Sequence, residues 1–203
     1  MSAVARVFSE HRIGVSRIFG FAFAAAVLFT GSRWQGTLAA DLMFLVGLML
    51  AAVGMVGRIW CLVYSSGYKS SQLVTAGPYV ISRNPLYFFS LVGLVGIGLS
   101  TATVTLTLFV ILFFWAVYPS VIHGEEAFLR EKFGASYTEY CDRTPRFFPS
   151  WGLLTEPDHY EVRPKTLRQS LGGVLWFIGL PALIHLLMEL RELGIIGWVA
   201  LLP

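Results

Sequence analysis

The sequence predicts an all-α polytopic membrane protein with about five transmembrane helices, and its composition is the first reason. Of its 203 residues, 56% are hydrophobic and only 13% are charged. A soluble domain carries about 25% charged residues, because water must wet its whole surface. Long apolar stretches also alternate along the chain with segments that hold most of the charge. Lipid is therefore expected to face much of the protein.

The lengths of the apolar stretches predict where the helices cross, since one span needs about 20 mostly apolar residues. The predicted spans are residues 13–30, residues 38–64, a pair within residues 86–117, and residues 171–190. Residues 86–117 are too many for one crossing, and residues 98–101 predict the turn of a helical hairpin. Pro181 lies in the last span, where neighbouring helices can satisfy the backbone groups that it frees.

The chain is expected to divide into a membrane core, residues 1–150, and a C-terminal addition, residues 151–203. The addition reads as an irregular linker followed by the fifth span, to which the sequence assigns no task. The first apolar stretch lacks a small-x-small cleavage pattern before Arg33, so a transmembrane helix is expected rather than a signal peptide. Cys61 and Cys141 lie in unlike surroundings, which predicts neither a disulfide framework nor a metal site.

The distribution of lysine and arginine predicts the orientation of the spans. The basic residues on one predicted side are Arg6, Arg12, Arg17, Lys69, Arg83, Arg130, Lys132, Arg143, Arg146, Arg163, Lys165 and Arg168. The other side has only Arg33 and Arg191. The positive-inside rule therefore predicts that the N-terminus and both large polar segments are cytoplasmic, in a bacterial inner membrane. This clustering, at a net charge of +3, indicates a lipid bilayer as partner and no nucleic acid.

The first polar segment, residues 71–87, looks like an ordered loop that ends in a helix start. Gly77-Pro78 is a turn signal. Asn84 is predicted to cap the third span by accepting a hydrogen bond, and Pro85 suits the first helical position, where its missing N–H costs nothing. A capped helix entrance without any further function explains this segment equally well.

The second polar segment, residues 123–149, predicts one amphipathic helix at the membrane interface. Its apolar and aromatic residues recur at three- and four-residue spacing: Phe128, Leu129, Phe133, Tyr137 and Tyr140. Glu125 and Glu126 come where span four leaves the membrane, and a carboxylate at that depth is a candidate functional group. Pairing of Glu126 with Arg130 four residues later would account for one of the two glutamates, not for both.

Together, the two segments resemble the isoprenylcysteine carboxyl methyltransferase family and the related phospholipid methyltransferases, over roughly residues 45 to 150. The residues that carry the resemblance are Leu73-Val74-Thr75, Gly77, Tyr79, Asn84-Pro85-Leu86-Tyr87, Glu125-Glu126, Leu129, Phe133-Gly134, Tyr137, Tyr140, Pro145-Arg146 and Pro149. Their order and spacing are specific as a set, although no single element is decisive.

The resemblance implies a membrane enzyme that uses S-adenosylmethionine without a Rossmann domain, and the sequence has no glycine-rich dinucleotide fingerprint. By position, the implied cofactor-binding residues are Ser71, Gln72, Leu73, Val74, Tyr79, Asn84, Pro85, Leu86, Tyr87 and Glu125, with Glu126 assisting. Isoprenylcysteine enzymes place a substrate-binding arginine where this chain has Val121, and a histidine where it has Asn84. Phosphatidylethanolamine methyltransferases have asparagine there, so Asn84 favours a lipid substrate.

The sequence therefore predicts a methyltransferase that acts at the cytoplasmic membrane face on a lipid or a lipid-attached group. Either O-methylation of a carboxylate or phosphate, or N-methylation of a head-group amine, is compatible with it. Arg58, Arg83 and Arg146 are candidates to hold an anionic head group, although each serves equally well as a snorkelling anchor. No catalytic residue is singled out.

The alternative interpretations are a small transporter, an assembly factor or an inactive member of the family. A transporter is expected to carry ionisable residues at the middle of the membrane. Only Asp41, His185 and Glu189 come near that position, and the first and last of them fall close to span ends.

Overall fold

The computed structural model describes residues 3–66, 68, 71–197 and 199–203, with side chains from Arg17 onward. Arg6, Arg12 and Lys69, which contribute to the predicted orientation, lie outside the described side chains. The helices are α1 Ala3–Phe29, α2 Leu38–Ser65, α3 Pro78–Ile81, α4 Pro85–Leu99, α5 Val104–Phe133, α6 Ala135–Arg143, α7 Pro164–Leu171 and α8 Trp176–Glu192. Two short strands, β1 Thr30–Ser32 and β2 Ala200–Leu202, and a 3₁₀ turn at Trp151–Leu153 complete the described elements.

Three stretches of helix are long and apolar enough to cross a membrane: Leu38–Ser65, Val104–Phe133 and Pro164–Glu192, which joins α7 and α8. Two apolar helices are shorter, Arg17–Phe29 and Pro85–Leu99. The 15 residues of α4 extend about 22 Å at 1.5 Å per residue, less than a hydrocarbon core of roughly 30 Å. The fold is thus an assembly of apolar helices, as expected of a polytopic membrane protein.

The outer surface of α2 is apolar. Its exposed large side chains recur mostly every three or four residues and are Leu38, Leu42, Leu45, Val46, Met49, Val53 and Val56. An aqueous surface does not favour such a stripe, whereas lipid does. The predicted hairpin is also present, because α4 ends at Leu99 and α5 begins at Val104.

Glycines let α2 and α4 approach to backbone contact. A Cβ added at Gly54 would lie 2.5 Å from Gly93 Cα, and one at Gly96 would lie 2.4 Å from the backbone nitrogen of Ala51. Small residues at a helix interface are the usual route to close packing in a membrane. This contact places the end of α2 beside the first motif segment, where the Tyr64 ring lies against Gly77.

The fifth predicted helix, α8, is part of the packed core. Phe177 lies over Gly93, where an added Cβ would come within 2.1 Å of its ring. Phe177 and Ile184 of α8 join one buried apolar cluster with residues of α1, α4 and α5: Phe23, Ile97, Leu106 and Val110. Helix α8 therefore covers one side of the α2–α4 pair.

The end of the molecule opposite the motif segments carries a small parallel sheet that the sequence did not predict. Residues 30–32 pair with residues 200–202, with Thr30 opposite Ala200. The Arg191 guanidinium donates to the carbonyls of Val27, Leu28 and Thr30 and so satisfies the free end of α1. Because each strand has three residues and the partners are distant in sequence, no local pattern indicates the pairing.

The prediction of one amphipathic helix in the second polar segment was wrong in its continuity. Helix α5 continues from the apolar stretch through Phe133, and α6 starts at Ala135. Gly134 separates them with a φ of 52°, a conformation that favours glycine. The aromatic residues at 128 and 133 thus belong to a different helix from Tyr137 and Tyr140.

Candidate active site

The two motif segments meet through backbone and side-chain hydrogen bonds. Arg83 N–H donates to the Pro145 carbonyl at 2.8 Å, and the Ser82 hydroxyl donates to the Phe147 carbonyl at 2.9 Å. Ser150 N–H donates to the Ile81 carbonyl at 2.9 Å. Segments more than sixty residues apart in sequence therefore run side by side as one unit.

Asn84 lies directly before α4 as predicted, but its predicted capping role was wrong. Pro85 occupies the first helical turn, and the Asn84 side chain makes no capping hydrogen bond. Instead, its amide nitrogen donates to Glu126 Oε1 and to the Arg146 carbonyl, both at 2.9 Å. The amide thus joins α4 to α5 and to the segment after α6, and these two bonds orient the side chain so that its oxygen makes no capping bond.

Glu126 is the centre of this cluster. Its Oε1 accepts from Asn84, and its Oε2 accepts from Arg146 Nε at 3.0 Å. Arg83 Nε lies 3.9 Å from Oε1, within ion-pair distance, and the Glu126 side chain is only 13% exposed. The structure pairs this carboxylate with Arg146, so the alternative of a pair with Arg130 was wrong. We call these four residues, Arg83, Asn84, Glu126 and Arg146, the Glu126 cluster.

Two buried polar atoms at the cluster, Arg83 Nε and the Tyr137 hydroxyl, have no close hydrogen-bond partner among the described residues, although both side chains lie beside the Cys141 thiol. Tyr137 is 1% exposed and interacts electrostatically with Glu126 and Arg83. Leaving a buried donor unpaired costs about 1–3 kcal/mol, so such atoms are usually satisfied by water or by a ligand. Both atoms can donate a hydrogen bond to an oxygen of a ligand.

The other predicted cofactor-binding residues are buried to different degrees. Pro85 is buried, and Leu73, Val74, Tyr79, Leu86, Tyr87 and Glu125 are half-buried. Ser71 and Gln72 are exposed. The Tyr87 ring packs edge-on against Tyr118 with centroids 5.6 Å apart, and Tyr118 stacks on Phe114 at 4.4 Å. Tyr87, Tyr118 and Phe114 therefore form a continuous aromatic surface between α4 and α5.

The three arginines proposed for a head group have different surroundings. Arg83 and Arg146 both face Glu126. Arg58 lies on α2, where Nη1 donates to the Ser90 hydroxyl, and its guanidinium lies 5.5 Å from the Phe177 ring centroid. Arg58 is therefore separate from the Glu126 cluster.

Residues 151–168 were expected to form an irregular linker, but α7 already begins at Pro164. Residues 151–163, which we call the linker, make contacts that the sequence did not reveal. Glu156 Oε1 accepts from Trp60 Nε1 at 2.9 Å and from the Tyr64 hydroxyl at 3.2 Å. The Tyr160 hydroxyl donates to the Tyr64 carbonyl, and the two rings lie 4.5 Å apart. The linker thus covers the end of α2. Its aromatic residues were the only sequence signal for this, and alone they indicate little.

The two cavities described for this fold lie at the opposite end. One is an open cleft of about 360 Å³ lined by Ser32, Arg33, Gln35, Gly36, Arg191, Glu192 and Leu201. The other, beside it, has room for about 10 Å³. Neither includes a residue of the motif segments. Among the described residues, no three His, Cys, Asp or Glu side chains form a group that could hold a metal ion.

Buried tyrosines stabilise the contact between α3 and α6. The Tyr140 hydroxyl donates to the Tyr79 carbonyl at 2.6 Å, and Tyr140 is 3% exposed. Burial raises the pKa of the Tyr140 hydroxyl above its ordinary value of 10.0, and burial likewise raises the pKa of Tyr79. The folded state thus holds these protons more tightly than the unfolded state does.

Stability is consequently expected to be full below about pH 10 and to fall as the pH rises above the unfolded value. Tyr140→Phe should lower the free energy of unfolding at neutral pH by about 1 kcal/mol, because a buried carbonyl loses its donor. It should also make the melting temperature less sensitive to pH between about 9 and 11. Thermal melting in detergent at a series of pH values checks both effects. Equal alkaline losses in wild type and variant would contradict this account of Tyr140.

Comparison with known proteins identifies the family of this chain. Residues 42–136 match the phospholipid methyltransferase family. The chain belongs to that family, and the predicted resemblance is confirmed.

Two bacterial relatives match nearly the whole chain. It is 35% identical over 194 residues to the cobalt-zinc-cadmium resistance protein CzcN of Cupriavidus metallidurans, covering 96% of this chain and 89% of that protein. It is 34% identical over 195 residues to the nickel-cobalt-cadmium resistance protein NccN of Alcaligenes xylosoxydans xylosoxydans, covering 96% and 91%. No solved structure matches the chain significantly.

Proposed function

We propose that this protein is an S-adenosylmethionine-dependent methyltransferase that acts on a lipid or a lipid-attached group at the cytoplasmic face of the membrane. The observation that carries the proposal is the Glu126 cluster, in which the two family motifs close on one carboxylate beside two unsatisfied donors. Family membership supplies the reaction class.

The residues present fit such a cofactor. Arg83 and Tyr137 can donate to its carboxylate or ribose oxygens, and Glu125 and Glu126 offer acceptors for its ammonium and hydroxyl groups. Tyr79 and Tyr87 offer aromatic surface. When bound, S-adenosylmethionine supplies an electrophilic methyl group on a sulfonium, whose transfer leaves a neutral thioether.

The protein's own contribution is to position the reactants and to exclude water. Asn84 and Arg146 fix the Glu126 carboxylate from two directions, so it is held before any ligand binds. The aromatic side chains on the α4–α5 side and in the linker limit access of water. An ionised carboxylate or phosphate acceptor needs no general base at neutral pH. A head-group amine must lose a proton, and Glu125 would then be the candidate base.

The names of the two relatives suggest a setting for this chemistry. Both are named for resistance to cobalt and cadmium, among other metals. We extend the proposal accordingly: methylation by this chain would alter membrane lipids in cells exposed to metal ions. Lipid extracts from cells with and without the gene, grown with and without cobalt, should differ in species one methyl group heavier.

Binding of S-adenosylmethionine to the purified protein tests the proposal. Calorimetry in a non-ionic detergent should show a single site in the wild type. Weaker binding is expected for Tyr137→Phe, which removes one unsatisfied donor and keeps the ring. If the wild type bound no S-adenosylmethionine, the enzyme interpretation would be lost, and an assembly factor, a transporter or an inactive family member would be favoured.

A further inference from the structure

Arg58 is a cation inside the helix bundle without a carboxylate partner among the described residues. The ionisable groups that interact with it are Tyr118, Cys61, Tyr87 and Tyr79, all neutral at physiological pH. The ion pairs described for the chain join other residues. A buried charge is costly unless an opposite charge or several hydrogen bonds compensate it.

The protein provides hydrogen-bond acceptors for only some of the N–H groups of the Arg58 guanidinium. Nη1 donates to the Ser90 hydroxyl, whose own proton goes to the Leu86 carbonyl at 2.6 Å. Nε is buried and lacks a hydrogen-bond partner among the described residues. A guanidinium has five N–H donors in a planar fork that matches an oxyanion, so donors remain for a ligand.

The position of Arg58 along α2 suits a lipid head group. It lies seven residues before the end of α2 at Ser65, which is about 10 Å along the helix axis. The linker covers the end of α2 at Tyr64, and Tyr79, a predicted cofactor-binding residue, interacts there with Ser65. A head-group oxyanion at Arg58 would therefore lie deeper along α2 than that end.

Helix α8 supplies the other boundary of this position. The Phe177 ring packs on Gly93 of α4 and lies beside the guanidinium, 5.5 Å from its central carbon. The Phe177 ring covers one side of the guanidinium, and the Ser90 hydroxyl accepts a hydrogen bond from Nη1. This gives the fifth helix a role that the sequence did not indicate.

We propose that Arg58, fixed by Ser90 and Phe177, is the residue that binds an oxyanion of the lipid methyl acceptor. This deepens the proposed function and rests on it. Arg83 and Arg146 face Glu126 and are therefore assigned to the cofactor side, which leaves Arg58 as the acceptor-binding arginine.

Lipid retention by the full-length protein tests this assignment. Native mass spectrometry in an uncharged detergent would measure the affinity for phosphatidylglycerol, for a farnesylated cysteine and for uncharged diacylglycerol. Arg58→Gln should weaken binding of the preferred oxyanion lipid at least tenfold and leave diacylglycerol unchanged, and Arg58→Lys should fall between. Comparing phosphatidylglycerol with farnesylated cysteine shows whether the protein prefers a phosphate or a carboxylate. Arg168→Gln, the same change at an exposed residue of α7, is the matched control.

S-adenosylmethionine affinity and melting temperature are measured on the same samples. The proposal expects Arg58→Gln to keep both close to wild type. Failure of the wild type to bind S-adenosylmethionine would count against the proposed function, whereas the lipid arms report on Arg58 alone. Unchanged retention of both oxyanion lipids in Arg58→Gln would overturn the proposal. A joint loss of lipid, cofactor and thermal stability in both Arg58 variants would also overturn it, by assigning the residue to the fold.

Discussion

Replacing Glu126 by alanine is expected to abolish methyl transfer and to lower the free energy of unfolding by about 2–3 kcal/mol. The carboxylate accepts from Asn84 and Arg146, and its removal leaves the Asn84 amide, in a residue only 7% exposed, without one of its two acceptors. An unsatisfied buried polar group costs about 1–3 kcal/mol, and breaking a buried ion pair costs about 3–5 kcal/mol. The half-exposed Arg146 reduces the second contribution.

The Glu126→Gln variant separates the effect on stability from the effect on cofactor binding and activity. Glu126→Gln keeps an oxygen for Asn84 but loses the charge that pairs with Arg146 and Arg83, so it should recover part of the stability and little of the cofactor affinity. Thermal melting and calorimetry of the same preparations measure both quantities. Glu131→Ala, which removes an exposed carboxylate of the same helix, is the matched control. If Glu126→Ala behaved like Glu131→Ala, the cluster would have neither role.

Replacing Gly96 by valine is expected to be the most damaging single change to the fold. A Cβ there meets Ala51 nitrogen at 2.4 Å, Gly47 oxygen at 2.5 Å and Leu50 carbonyl carbon at 2.9 Å, all backbone atoms of α2. Backbone cannot rotate away as a side chain can, so the helices must separate. Overpacking costs about 1–3 kcal/mol and occasionally more, and we expect the upper end here, a melting temperature lower by roughly 6–12 °C.

The same change should also reduce activity, because α4, which starts directly after Asn84, would be displaced from its position against α2. Gly179→Ala is the matched control, since it lies within α8 and an added Cβ there meets no atom within 4 Å. That variant should be neutral or more stable by up to about 1 kcal/mol, because alanine favours helix over glycine. Equal melting temperatures for Gly96→Val and Gly179→Ala would contradict the close packing of α2 and α4.

Features of the fold that depend on local pattern could be predicted from the sequence. The hairpin between α4 and α5 follows from an apolar run too long for one helix with a polar turn near its middle. The start of α4 at Pro85 follows from the geometry of proline. The family motif was also recognisable, because its residues keep a fixed order and spacing.

Features that depend on distant partners could not be predicted. Asn84 was placed correctly at a helix start, but its side chain bonds to Glu126, forty-two positions away, and to Arg146, sixty-two positions away. Local rules favour a cap by the side-chain oxygen at that position and contain no information on the distant acceptors that orient the amide nitrogen. For the same reason Glu126 was ranked below Glu125, although Glu126 has the network of partners.

The contacts of the C-terminal addition, residues 151–203, could not be predicted either. Glu156 and Tyr160 looked like residues of an irregular linker, since nothing in their neighbourhood has a helical or strand period. Their partners, Trp60 and Tyr64, lie on α2, more than ninety residues earlier. Whether residues 1–150 and 151–203 behave as separate units stays a prediction.

Transfer of a labelled methyl group is the most direct test of the central claim. Purified protein in lipid nanodiscs would be given S-adenosylmethionine with an isotopically labelled methyl, and the lipid fraction would be extracted and analysed. Wild type should transfer the label to a lipid, and Glu126→Ala should transfer none above background while Glu131→Ala transfers as wild type does. Absence of label from every lipid with the wild type, across membranes that contain phosphatidylethanolamine, phosphatidylglycerol and the host's own lipid extract, would contradict the account.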